Sequence, residues 1–259
     1  ENFPWDLPVD DGGRASPAWE TALIKARIEF LNGEIRQEQG DFAAAVRRFS
    51  AAEVLSRQAA DDPLGDPESP GYWFEYQAAR LAAEARSGSL KMAEVTAWLE
   101  AARDFPDARW KDRDLSRAQK AATLLAAAMP LLMRDSPENA SQWHEEIALW
   151  IEQQFAQSPR NVGTLFARAH LASASASRFE GAAAVTAWEQ AAAQWQDGRK
   201  PWPLNAVFGT GESVCWSQIT RLCTLLGDLD KALNAWLQGC LVIQGQHENF
   251  IFSKGPAAS

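Results

Sequence analysis

The chain has 259 residues, 46% hydrophobic and 23% charged, which is enough apolar material for a sizeable core and excludes a disordered or collagen-like polymer. Acidic side chains outnumber basic ones 34 to 25, leaving a net charge of −9 that opposes sequence-independent attraction to nucleic acid or anionic lipid. The longest strongly apolar stretch, around Leu124 to Met133, falls far short of the roughly 20 residues that cross a bilayer.

In chain order, residues 1–16 read as an extended N-terminal segment. Phe3, Trp5, Leu7 and Val9 alternate around Pro4 and Pro8, forming a strip with its apolar side chains on one side. Such a strip should bury somewhere, either capping the first helical hairpin or lying in a peptide groove. From Pro17 to Gln244 the pattern is helical almost throughout. Ala, Leu, Gln, Glu and Arg dominate, β-branched residues never cluster in alternating runs, and Gly and Pro arrive in short groups. Breaks fall at Gly40-Asp41, from Asp61 to Gly71, at Ser87-Gly88-Ser89, Phe105-Pro106-Asp107, Asp135-Ser136-Pro137 and Ser158-Pro159, from Gly198 to Gly211, and at Gly227-Asp228. They predict an all-α chain of about ten helices, each about 14 to 24 residues long. Residues 245–259 read as a C-terminal tail. Glu1 in place of Met is expected to mark a processed chain, a tag remnant or an excised piece.

Within the second helix of each pair, one pattern echoes. Val46-Arg47-Arg48-Phe49-Ser50-Ala51-Ala52 returns as Val95 to Ala102 around Trp98, as Val185 to Ala192 around Trp188, and as Leu233 to Cys240 around Trp236, with a weaker copy at Trp150. The aromatic positions 49, 98, 150, 188 and 236 are spaced by 49, 52, 38 and 48 residues, the period range of helical solenoids. An aliphatic residue three before the ring and a small one three after it share a helical stripe. The ring fills space between hairpins, and Ala or Gly lets the next helix approach.

These residues resemble tetratricopeptide (TPR) repeats. The clearest copy has Gly33, then Gly40-Asp41-Phe42 at the turn, then Ala45, Phe49 and Ala52. The last pair has Trp216 and Ile219, Gly227-Asp228-Leu229, then Ala232, Trp236 and Gly239. Leu171, Ala184, Trp188 and Ala191 make a looser copy, with Pro159-Arg160-Asn161 as a repeat junction. The resemblance covers about residues 17 to 244 and implies an α-solenoid of about five antiparallel helix pairs. Because the spacings exceed the family's 34 residues, an irregular solenoid is expected. In that family first helices line an inner face that grips peptides or partner helices. By repeat match this face would carry Arg27, Phe30, Glu34 and Gln37, then Ala169, Ser173 and Ser177, then Ser217, Arg221 and Thr224. The Lys/Asn set with which chaperone-binding members clamp a C-terminal carboxylate is not present.

Catalytic and metal chemistry find little support. His144-Glu145-Glu146 lacks the second histidine of a zincin, so a solvated helix face fits better. His170 and His247 have no ligand-spaced partner. Gly209-Thr210-Gly211-Glu212-Ser213 has two glycines but no Lys and no preceding strand, so a helix N-cap at Thr210 or Ser213 is expected in place of a phosphate loop. Cys215, Cys223 and Cys240 read as small buried thiols, with a Cys223–Cys240 bridge as the alternative. Their small number favours a reducing, cytoplasmic compartment, or a periplasmic one had a signal peptide been removed. The resulting expectation is a noncatalytic scaffold or adaptor for another protein or peptide, with no cofactor and no metal. A regulatory or substrate-recruiting domain of a larger enzyme is the main alternative, and a Trp-lined helical barrel acting on carbohydrate is a third.

Overall fold

The computed structural model describes residues 18–62, 69–104, 114–157, 159, 161–203 and 205–253; the strip of Phe3, Trp5 and Leu7 lies outside them. The protein is all-α, with ten helices and no strand among the described residues. They are α1 (Ala18–Glu38), α2 (Phe42–Ala60), α3 (Ser69–Ser87), α4 (Met92–Asp104), α5 (Asp114–Asp135), α6 (Pro137–Gln157), α7 (Val162–Ala176), α8 (Gly181–Arg199), α9 (Ala206–Leu226) and α10 (Leu229–Ser253). Helix α10 runs beyond Gln244, so part of the expected tail at 245–259 is helical. The chain divides into two compact units, residues 1–113 and 114–259.

The hairpins are made by local chemistry at their corners. After α1, Gly40 takes a φ of 77°, and Asp41 N–H donates to Arg36 O at 3.0 Å, which closes the helix with a left-handed glycine cap. Asp41 then opens α2, its Oδ1 accepting from Ala44 N–H at 3.0 Å. The same corner recurs at Gly227 (φ 79°), with Asp228 N–H on Cys223 O at 2.9 Å and Asp228 Oδ1 accepting from Lys231 N–H at 3.1 Å. Gly88 makes a third, with Ser89 N–H on Glu84 O at 3.0 Å. A Cβ at Gly40 or Gly227 would meet nothing within 4 Å, so the glycine is needed for its backbone angle and not for space. Gly40→Ala or Gly227→Ala is therefore expected to cost about 1–2 kcal/mol and Asp41→Ala about 1 kcal/mol, read from urea midpoints of the whole chain.

In unit 1, α1 packs on α2, α2 on α3, α1 also touches α3, and α3 touches α4. Phe30, Phe49 and Tyr76 fill the centre among Ala26, Ala45, Ala52 and Ala83. Gly33 lies directly under the Phe49 ring, and a Cβ there would come within 2.5 Å of it, so the small-aromatic pairing expected from the sequence is formed. Trp98 is buried as well, its Nε1–H donating to Phe74 O at 3.1 Å. Arg80 of α3 gathers three carboxylates: Glu53 of α2 at 2.7 Å, Glu84 of α3 at 2.6 Å and Glu94 of α4 at 3.1 Å. Only 13% of its side chain is exposed.

In unit 2, α5 packs on α6 and α7, α7 on α8, and α9 on α8 and α10; α7 also touches α9. Aromatic rings again set the spacing, but not all those the repeat pattern nominates. Phe49 and Trp98 are buried, Trp150 and Trp188 are half-buried, and Trp236 is exposed. The ring at the centre of α8 is Trp195, two turns beyond Trp188. It packs with Phe166 and Phe208, which stack on each other at 4.1 Å. Gly211 of α9 lies beneath Trp195, and Gly198 of α8 beneath Phe208. Helix α9 starts a full turn earlier than expected, with Asn205 as its cap accepting from Val207 N–H at 3.1 Å. Gly209 and Gly211 are thus inside a helix, where glycine is unfavourable by about 1 kcal/mol, and the bare surface of Gly211 receives an indole.

Candidate functional site

On α1 the expected recognition residues divide. Arg27 is exposed, but its guanidinium is held over the Phe30 ring at 5.4 Å and hydrogen-bonds the Tyr76 hydroxyl of α3. Burial, with the nearby Glu75 charge, pushes that phenol up to about 12, so it stays protonated. Phe30, expected on the open face, is 2% exposed and stacks on Tyr76 at 4.6 Å; its ring belongs to the core. Glu34 and Gln37 are half-buried further along the same helix.

The unit 2 set also divides. Ser173 of α7 lies half-buried between helices: its Oγ accepts from Trp195 Nε1–H at 3.0 Å and lies 3.9 Å from Cys215 Sγ of α9. Ala169 is fully buried, and Ser177 Oγ–H turns back onto Ser173 O at 3.0 Å. Ser217 and Arg221 are exposed on α9, with Thr224 on the same face. Residue 217 is two positions beyond Cys215, about 200° around the helix, so Ser217 and Arg221 point away from the side that meets Ser173. The structure therefore gathers Ser217, Arg221 and Thr224 into one polar face and assigns Ser173 to the packing between α7, α8 and α9.

A concave feature that the repeat pattern did not nominate lies where α8, α9 and α10 meet. It is a groove of about 310 Å³ with Trp216, Ile219 and Ala235 as its apolar lining. Glu189 and Lys231 form an ion pair at 2.9 Å beside it, and Asn234 and Gln238 complete the rim. The signal was present in the sequence: Lys231, Asn234 and Gln238 recur at i, i+3 and i+7, a polar stripe beside the core positions Ala232 and Ala235.

One turn before Trp216 on α9 sits a buried carboxylate. Glu212 is 2% exposed and occupies a core register with Phe208, Cys215 and Ile219, which a solvent-facing residue would not. Its Oε2 lies 2.8 Å from Arg199 Nε of α8, out of line for an aligned hydrogen bond, so the contact is an ion pair. Trp216 Nε1–H reaches its other oxygen at 3.5 Å.

The cysteines are all free: Cys215 and Cys223 are buried, Cys240 is exposed. Burial pushes Cys215 up to about 12, which leaves it an unreactive thiol. His144 is also partly buried, and that burial, with the charge of Arg178, lowers its pKa from the ordinary histidine value. Among the described residues no group of three His, Cys, Asp or Glu could hold a metal ion, and no helix is long and apolar enough to cross a membrane. Compared with family models, curated proteins and solved structures, the chain matches none.

Proposed function

We propose that this protein is a noncatalytic scaffold that binds a peptide or a segment of a partner protein on the open face of TPR-like helical pairs. The observation that carries the reading is the groove between α8, α9 and α10. An apolar lining with a polar, ion-paired rim suits one large apolar side chain of an extended segment, whose backbone amides can meet Asn234 and Gln238. Its volume, about 310 Å³, lies at the lower end of small-ligand sites. The polar face of Ser217 and Arg221 on α9 supplies further donors within the same unit. The recurring Gly-Asp corners at Gly40 and Gly227 support the TPR-like description of these hairpins.

Panning the whole chain against a displayed library of random peptides tests the proposal. Enriched peptides are expected to carry a large apolar residue, to bind with micromolar affinity, and to lose at least tenfold in affinity to Asn234→Trp, which fills the groove from an exposed position. Arg221→Ala should weaken them less. Failure to enrich any sequence, or binding indifferent to Asn234→Trp, would overturn the reading.

A further inference from the structure

Helix α10 is inverted relative to an ordinary surface helix. Toward α9 it presents small or modest residues, Ala232, Ala235 and Val242, with Gly239 against Trp216. Its large apolar residues point outward: Leu229, Leu233, Trp236 and Ile243 are 66%, 57%, 55% and 56% exposed, and Cys240 is exposed beside them. These five positions are spaced 4, 3, 4 and 3, the d-a-d-a-d seam of a coiled coil, which seeks a second helix. Leu237 and Leu241 flank the seam, and Leu225 and Leu226 extend it at the preceding turn.

We propose that this seam is a homodimer interface, in which α10 packs against α10 of a second copy about a two-fold axis. The reading is independent of the peptide groove, which lies on the opposite, polar side of the helix. Charge favours a copy of the same chain. Between Leu229 and Gln246 the charged residues are Asp230 and Lys231, and Lys231 is held by Glu189. Two molecules of net charge −9 repel elsewhere, and this nearly uncharged face is where they can meet; a strongly charged partner would find nothing complementary on it. Area agrees. Burying a leucine removes on the order of 100 Å² and a tryptophan up to about 250 Å², so the exposed portions here amount to roughly 500 Å² of apolar surface. Interface cores are about 65% apolar, which makes the patch roughly 800 Å² per partner, the size of a standard specific interface. Self-association through one patch on both chains closes as a dimer and leaves no free end.

Sedimentation velocity of the whole chain from about 1 to 200 μM tests this. A monomer–dimer equilibrium is expected, with Trp236→Glu raising the dissociation constant at least tenfold while far-UV circular dichroism stays unchanged, because the indole is exposed in the single chain. Leu31→Glu, on the partly exposed apolar face of α1, should leave the equilibrium unchanged. In the unmodified protein the reaction of Cys240 with a thiol reagent should slow as concentration rises. A monomer at every concentration would overturn the proposal. So would a dimer abolished by Leu31→Glu but not by Trp236→Glu, or a Cys240 reactivity independent of concentration.

Discussion

Trp195→Ala is expected to destabilise unit 2 by about 3–5 kcal/mol, the range for a buried aromatic whose removal leaves a cavity. The indole is 3% exposed and meets His170 edge-on at 4.8 Å and Phe208 at 6.2 Å; its Nε1–H donates to Ser173 Oγ. Gly211 gives the ring its seat on α9. Trp188→Ala, at the position that the repeat pattern marks as the ring-bearing one, should cost roughly half as much, because that indole is half-buried between two clusters. Urea unfolding of the whole chain followed by far-UV circular dichroism measures both. Equal losses, or the larger loss at Trp188, would mean that the spacing of α8 and α9 is set elsewhere than at Trp195.

Arg199→Met should be comparably damaging, about 3–5 kcal/mol, since it strands the buried carboxylate of Glu212 without its counter-ion. The informative comparison is the double substitution Arg199→Met with Glu212→Leu. Apolar replacement of both partners of a buried pair is often neutral or stabilising, so the double variant is expected to recover most of the loss. A double-mutant cycle from urea midpoints would read this as a coupling energy of opposite sign to the single losses. Additive losses would show that Arg199 acts through packing of its stem, and not through its charge.

What the sequence discloses about the fold follows from how far the relevant physics reaches along the chain. The corners at Gly40-Asp41 and Gly227-Asp228 are legible because a left-handed cap and an Asp side chain act within five residues. Gly33 and Phe49 are legible because they belong to one hairpin. Gly209 and Gly211 are misread as a helix start, because the reason for glycine at 211 is an indole on a different helix. Trp236 shows the same limit from the other side. Its flanking residues match those of Phe49, yet burial depends on whether another helix follows on that side, and among the described residues Trp236 stays 55% exposed. Among the expected surface residues, Arg27, Ser217 and Arg221 are exposed, whereas Phe30 and Ser173 serve packing. A rotation of a fraction of a turn between repeats suffices to make that exchange, and periodicity alone does not fix it.

Arg80 alters how unit 1 comes apart. In a simple stack each helix is held only by its neighbours and can peel away singly from an end. A single guanidinium on α3, shared by acids from α2, α3 and α4, links the α2–α3 contact to the α3–α4 contact through one charge. Withdrawal of α4 takes one of three acids from that charge, so the loss is expected to be felt at the pairing of α3 with α2 as well as at the end that comes away.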